Sequence, residues 1–399
     1  MLWANSKNSA DRDYAIAPVD RSRDEVSRVA VDLTNLKSLY CGLGQFSYYL
    51  GRALARASQA AVAPELFVPY GVRELMSDVP LPKIAAFPWM KEQIHRYYRP
   101  WLARLMPRTP RYALWHATTQ NTRYLPLDER IPVVLTIHDL NFLREKPPEV
   151  WHRKLRGVQA LVDRAVAVTT ISKFVAEEVR SHLDLGEKPL RIIYNGLIAT
   201  NHPEADRPAF ADGSPFLFSI GDVLRKKNFH VLIDLMTRLP QYHLIIAGND
   251  RSAYANEIRR LAAKAGVSDR VVLPGIVSDA TRYWLYKNCA AFLFPSLTEG
   301  FGLPVIEAMR FGKPVFLSNA TSLPEIGGPL AFYWTSFDGS AMFDVFRAGM
   351  ASFAGDPSYP AQLAARANQF SWDQAAAEYL AYYQEIIEGT ATRSMRVAA

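Results

Sequence analysis

Phe294-Pro-Ser-Leu-Thr-Glu-Gly-Phe-Gly-Leu-Pro-Val-Ile-Glu-Ala-Met309 reads as a strand end, a glycine turn and a helix start. The apolar run from Ala291 to Phe294 suits a buried strand. Gly300 and Gly302 let the backbone approach a ligand closely, and Pro304 suits the first helical position. The amides of Phe301, Gly302 and Leu303 then point at an anion or a sugar hydroxyl, aided by the helix dipole. Glu299 lies in the loop and Glu307 about one turn into the helix. Such a spacing lets two carboxylates meet opposite ends of an extended ligand, each accepting paired hydrogen bonds from a vicinal diol. Two glutamates alone would be an ordinary solvated junction; the glycines and the proline around them make a site.

Outward from this stretch the same pattern recurs. Strand Arg28–Thr34 leads through the turn Cys41-Gly-Leu-Gly44 into a helix from Gln45. Strand Ile131–Ile137, helix Leu155–Val166 and strand Ala167–Ile171 follow, and Ser172 caps the next helix. Leu190–Tyr194 ends in the turn signal Asn195-Gly196. After an aperiodic Pro/Ala/Asp-rich stretch come strands Phe216–Ile220, His243–Ala247 and Val271–Leu273. Helices through Leu235, from Tyr254 to Ala265 and from Ala280 to Asn288 separate them. Alternating strand and helix predicts parallel sheets covered on both faces. A length of 399 residues favours two domains. The expected division is a flexible arm 1–27, a first α/β domain 28–200, a linker 201–214, a second α/β domain 215–372, and a final helix and tail 373–399. Ligands of such sheets bind beyond the carboxyl ends of the strands, so a cleft between the domains is the expected site.

Composition narrows the class. Hydrophobic residues make up 49% and charged residues 21%, as in an ordinary globular protein. The net charge of +7 allows an anionic partner without choosing one. Cys41 and Cys289 build neither a disulfide framework nor a four-ligand zinc site. No run of about 20 apolar residues spans a bilayer, and the polar N-terminus lacks a signal-peptide core. A cytoplasmic protein is expected. Residues 91–106 mix cations with Tyr97, Tyr98 and Trp101. They read either as a segment lying peripherally on an anionic membrane or as a packed helix with snorkelling cations.

Three further motifs stand at strand ends. Gly221-Asp-Val-Leu-Arg-Lys-Lys-Asn228 puts consecutive cations beside a glycine turn at a helix start, as a diphosphate clamp needs. Gly42-Leu-Gly44 is a weak signal alone, strengthened by its place between strand and helix. Thr136-Ile-His138-Asp139 offers a strand-terminal histidine to bond a donor hydroxyl. His116, after Leu114-Trp115, is a weaker acceptor-side candidate, with Asp139 beside it in rank.

These residues together resemble the Glu-x7-Glu family, family 4 of the retaining nucleotide-sugar glycosyltransferases. The resemblance runs from about residue 29 to 388 and includes Gly312-Lys-Pro-Val315, Ser322-Leu-Pro-Glu325 and Phe370-Ser-Trp372. It implies the GT-B fold: two Rossmann-like, doubly wound parallel-sheet domains facing a cleft, with a C-terminal helix crossing back to the first. By this resemblance His138, Lys227 and Glu299 are catalytic, with Glu299 by the donor hexose. Glu307 holds the ribose, and Phe301, Gly302 and Leu303 present amides to sugar or phosphate. Gly42 and Gly44 form the donor-phosphate loop; Gly221, Asn228 and Gly248 line the cleft; Gly275 belongs to the segment reading the base. Lys227 aligns with the family's lysine. Lys226 stands in place of an arginine, and Arg225 is the other residue that would assist. The implied activity is hexosyl transfer with no metal or other cofactor, from a nucleotide sugar to a glycan or lipid-linked glycan. The layout most resembles mannosyltransferases of bacterial surface-polysaccharide assembly, which favours GDP-mannose over a UDP-hexose. A nucleotide-sugar epimerase and an inactive partner subunit are the other classes. A nucleic-acid partner is not expected, because the basic residues are not organised around a recognition helix.

Overall fold

A computed structural model describes residues 26–39, 41–57, 61–86, 112–126, 128–197 and 206–398. The aromatic stretch 91–106, most of the N-terminal arm and residues 201–205 of the linker lie outside the described residues.

The first sheet contains β1 (Ser27–Asp32), β2 (Val62–Pro69), β3 (Lys83–Ala86), β4 (Leu114–Ala117), β5 (Val133–Ile137), β6 (Ala167–Thr170) and β7 (Leu190–Ile192). Its order is β3-β2-β1-β4-β5-β6-β7. The second contains β8 (Phe216–Ile220), β9 (His243–Ala247), β10 (Val271–Gly275), β11 (Ala291–Phe294), β12 (Val315–Ser318) and β13 (Phe332–Trp334), ordered β10-β9-β8-β11-β12-β13. Every strand pairing among the described residues is parallel. Each order reverses beside its first strand, between β1 and β4 and between β8 and β11. Those switch points open crevices at the strands' carboxyl ends. Among the described residues, no helix is long and apolar enough to cross a membrane.

The helix read over Leu155–Val166 runs from Pro148 to Arg164, and two elements beside the cleft also differ from their sequence reading. The first helix begins at Gly42, not Gln45, so Gly42 and Gly44 belong to its first turn. A Cβ on Gly44 would lie 1.8 Å from the Ser38 carbonyl oxygen; glycine lets that turn pack against the preceding segment. The cationic run is not a helix start. Arg225–Lys227 is a single 3₁₀ turn closed by Asn228 at φ 58°, and the helix begins at Val231. Asparagine tolerates the left-handed conformation that ends the turn.

The final helix, Trp372–Ala398, crosses back as expected. At the crossing the Leu197 amide donates to the Phe370 carbonyl at 2.9 Å. Trp372 and Tyr379 present their rings to Phe46 of the first helix. His116 completes the attachment. Its Nδ1 lies 2.6 Å from the Tyr383 hydroxyl and its Nε2 2.7 Å from Thr136 Oγ1. It is fully buried, so the acceptor-side reading of His116 is corrected: it anchors the returning helix.

The domains also meet across the cleft. The Glu325 carboxylate accepts from the amides of Lys173 (2.8 Å) and Phe174 (3.1 Å), capping a first-domain helix from the second domain. The Tyr194 hydroxyl donates to the same carboxylate at 2.8 Å. Ser172 Oγ donates to the Gly300 carbonyl at 2.7 Å. A Cβ on Gly300 would lie 2.1 Å from the His138 carbonyl oxygen, so only glycine permits this approach.

Two predictions follow from these contacts. Gly300→Ala forces the domains apart; overpacking of this kind costs about 1–3 kcal/mol. We expect a lower melting temperature and a larger radius of gyration by small-angle scattering, with the circular dichroism of the folded chain kept. Unchanged melting and scattering would contradict the contact. Burial, helped by the nearby His138, pushes the His116 pKa down to about 3. An unfolded histidine protonates near pH 6.5. Its stabilising contribution is therefore complete above pH 6.5 and is lost as pH falls toward 3, by about 1.4 kcal/mol per pH unit. Between pH 7.5 and 5 the wild type should lose more stability than His116→Asn; parallel pH profiles would refute this.

Candidate active site

The two switch points face one cleft of about 1530 Å³. Of the residues singled out from the sequence, it gathers Gly42, His138, Asp139, Gly221, Lys226, Lys227, Gly248, Glu299, Phe301, Gly302, Leu303 and Glu307. Gly44, Arg225, Asn228, Gly275 and His116 do not line it. Asn228 shapes the cationic turn instead. Gly275 supports the wall, its carbonyl accepting from the Gly248 amide at 2.9 Å. Gly248 in turn lies against Gly221: a Cβ on Gly248 would be 2.0 Å from the Gly221 carbonyl oxygen.

The lysines are held by carboxylates. Lys227 Nζ lies 2.5 Å from Glu299 Oε1, with side chains only 14% and 15% exposed. It is also 4.9 Å from the centre of the Phe294 ring. Lys226 reaches across to Glu145 of the first domain at 3.1 Å. Burial of Lys226 opposes its charge, yet Glu145, with Glu299 and Asp139, lifts its pKa above the ordinary lysine range. Arg225 turns outward to Glu257 and over the Tyr254 ring. Lys226, not Arg225, is thus the second cation in the cleft.

The Glu299 loop is stapled from behind. The Glu299 amide donates to Thr321 Oγ1 at 3.1 Å, and Ser322 Oγ bonds the carbonyls of Glu299 (3.0 Å) and Phe301 (2.8 Å). Gly302, at φ 117°, then turns the chain into helix Leu303–Arg310, which has Pro304 in its first turn and no side-chain cap. This helix start lines the cleft through Gly302, Leu303 and Pro304, and such an end is a ready place for an anion. Glu307 points from the same helix and is fixed by the Tyr286 hydroxyl, which donates to Oε2 at 2.8 Å.

His138 forms the facing wall. Its Nε2 donates to the Thr118 carbonyl at 2.7 Å, which leaves Nδ1 as an acceptor. Burial pushes its pKa down to about 4, against the pull of that carbonyl. At neutral pH His138 is an uncharged hydrogen-bond acceptor, not a general acid. Burial raises the pKa of neighbouring Asp139, opposed by its bond from the Asn141 amide and by the Lys226 charge.

The sequence reading missed Glu145, Arg282, Tyr286 and Tyr49. Arg282 and Tyr286 stand four apart on helix Asp279–Asn288, a spacing that places both on one face. Nothing local marks Tyr49, which lines the cleft from the first domain, or Glu145, which meets Lys226 from there.

Comparison with known proteins agrees with this layout. The model of "Glycosyltransferase Family 4" matches residues 40–199, and that of "Glycosyl transferases group 1" matches residues 202–331. The serotype-specific mannosyltransferase WbdA of Escherichia coli is 28% identical over 228 residues, 54% of this chain and 28% of WbdA. The chain therefore matches well under two thirds of that relative's length. The GDP-mannose:cellobiosyl-diphosphopolyprenol alpha-mannosyltransferase of Komagataeibacter xylinus is 26% identical over 264 residues, 63% of each chain. The crystal structure of Anabaena HepE in complex with UDP and glucose superposes with a TM-score of 0.65 at 19% identity, covering 90% of this chain and all of HepE. That likeness establishes the fold. Two consecutive family matches fall on the two sheets in order, and the chain belongs to the family 4, group 1 glycosyltransferases of the GT-B fold.

Proposed function

We propose that this protein transfers a hexosyl group from a nucleotide sugar to a glycan or lipid-linked glycan, with retention at the anomeric carbon. The observation that carries the proposal is the meeting of Lys226, Lys227, Glu299 and an uncapped helix start in one cleft. The diphosphate lies against the two lysines. Lys227 leaves Glu299 for a phosphate oxygen, which frees the carboxylate for hydroxyls of the donor hexose. Glu307 takes the ribose, and His138 Nδ1 accepts from a further sugar hydroxyl.

In the reaction the bond from the anomeric carbon to the diphosphate oxygen breaks as the bond to the acceptor oxygen forms. Attack comes from the same face, and the leaving phosphate takes the acceptor's proton. The lysines stabilise the charge that develops on the leaving group, while the rest of the site positions donor and acceptor. Two lysines against one diphosphate make a divalent ion dispensable.

GDP-mannose is the proposed donor, supported by the mannosyltransferases among the relatives. A UDP-hexose is the second reading, favoured by the UDP and glucose held by HepE. Polysaccharide assembly is the proposed context.

A panel of GDP- and UDP-sugars offered with cell-envelope acceptors, read by mass spectrometry, tests this. Mannose transfer from GDP-mannose is expected to persist in excess chelator. Turnover with UDP-glucose or UDP-GlcNAc alone would remove the mannose assignment, and full loss in chelator restored by a divalent ion would remove metal independence. Glu299→Gln and Lys227→Ala should each lower transfer at least about tenfold, roughly 1.4 kcal/mol at the transition state. Smaller losses in both would place the chemistry elsewhere.

A further inference from the structure

We propose that Arg282 is a second reader of the donor's ribose, donating to a hydroxyl that in turn donates to Glu307. The proposal rests on the reading of Glu307 as the ribose carboxylate.

Arg282 lines the cleft yet is only 8% exposed. A guanidinium so deeply buried is costly unless its donors are matched. Its Nη2 lies 3.2 Å from the Tyr283 hydroxyl and 3.2 Å from Asp279. Asp279 is a largely exposed partner and holds the arginine weakly. The approach to Glu307 Oε1 is 3.8 Å, an ion pair too long for a hydrogen bond. Arg282 Nε is buried and has no hydrogen-bond partner among the described residues.

Glu307 shows the complementary deficit. Its Oε2 accepts from Tyr286, whereas Oε1 faces Arg282 across that gap. One wall of the cleft thus carries an unused donor beside an underused acceptor. A hydroxyl is both acceptor and donor, so one hydroxyl bridging the two groups satisfies both. A vicinal diol places a second hydroxyl within reach of the same carboxylate. Tyr49 comes from the first domain's leading helix and lines the same cleft; its pKa is raised by burial and by its neighbour Tyr283, with Arg282 pulling the other way. Arg282 and Glu307 are themselves only 8% and 6% exposed, so a hydrogen bond between a ligand and these charged groups is partly shielded from solvent.

The test is calorimetric binding of GDP and UDP and of their 2′-deoxy and 3′-deoxy forms to the full chain. Wild type, Arg282→Met, Arg282→Lys and Glu307→Gln are compared. We expect the wild type to bind its ribonucleotide at least about tenfold more tightly than one deoxy form, the scale of one lost charge-assisted bond. Arg282→Met should lose that factor for the ribonucleotide and leave the deoxy form unchanged. Arg282→Lys keeps a charge but not the guanidinium donors, and should lose the preference too; it carries the test if the Met variant fails to fold. Equal weakening of ribo and deoxy forms would make Arg282 structural and overturn the inference. Loss of the preference in Glu307→Gln alone overturns the role of Arg282 and leaves the ribose reading standing. A wild type without preference removes both, and a wild type that binds none of these nucleotides removes the proposed donor site with them.

Discussion

Gly300 lies against the carbonyl of His138, and the rest of the site depends on that approach. A side chain at position 300 would push the domains apart. With glycine there, the loop bearing Glu299 reaches the end of β5, where His138 stands. Ser172 and Glu325 then fix the two domains by bonds that cross the cleft in both directions. The same segment that turns the chain into a helix thus also sets the width of the cleft.

Charge is distributed accordingly. Both cleft lysines are paired, Lys227 with Glu299 and Lys226 with Glu145. A half-buried cation without a partner would be costly. The two carboxylates offset the charge of the lysines they meet. His138 adds no charge, because burial holds it neutral through the physiological range. In the proposed reading, the wall it forms would meet sugar hydroxyls and the lysine turn the diphosphate.

Much of this was legible in the sequence. The junction from Phe294 to Glu307 folds as its glycines and proline indicate, and the two-sheet alternation and returning helix are as expected. What was not legible depends on distant partners. The strands β2, β3, β4, β12 and β13 went unread; several are only three or four residues long, and burial on both faces removes the alternation that marks an exposed-face strand. His116, a weak acceptor-side candidate after Leu114-Trp115, instead lies inside β4, where Thr136 and the distant Tyr383 complete its bonds. Arg225 and Lys226 were indistinguishable locally. Which one enters the cleft is decided by Glu257 and Glu145, on opposite sides of the turn. Glu325 was seen only as part of a motif, and its capping of the other domain's helix has no local signature.

The central claim is that a lysine pair grips a diphosphate without a metal. The direct measurement is calorimetric titration of a nucleoside diphosphate and the matching monophosphate, in chelator, into wild type and Lys227→Ala. The account predicts a clear, salt-sensitive preference for the diphosphate that collapses in the variant. A preference of the same size in the variant, or one that appears only with a divalent ion, would contradict it.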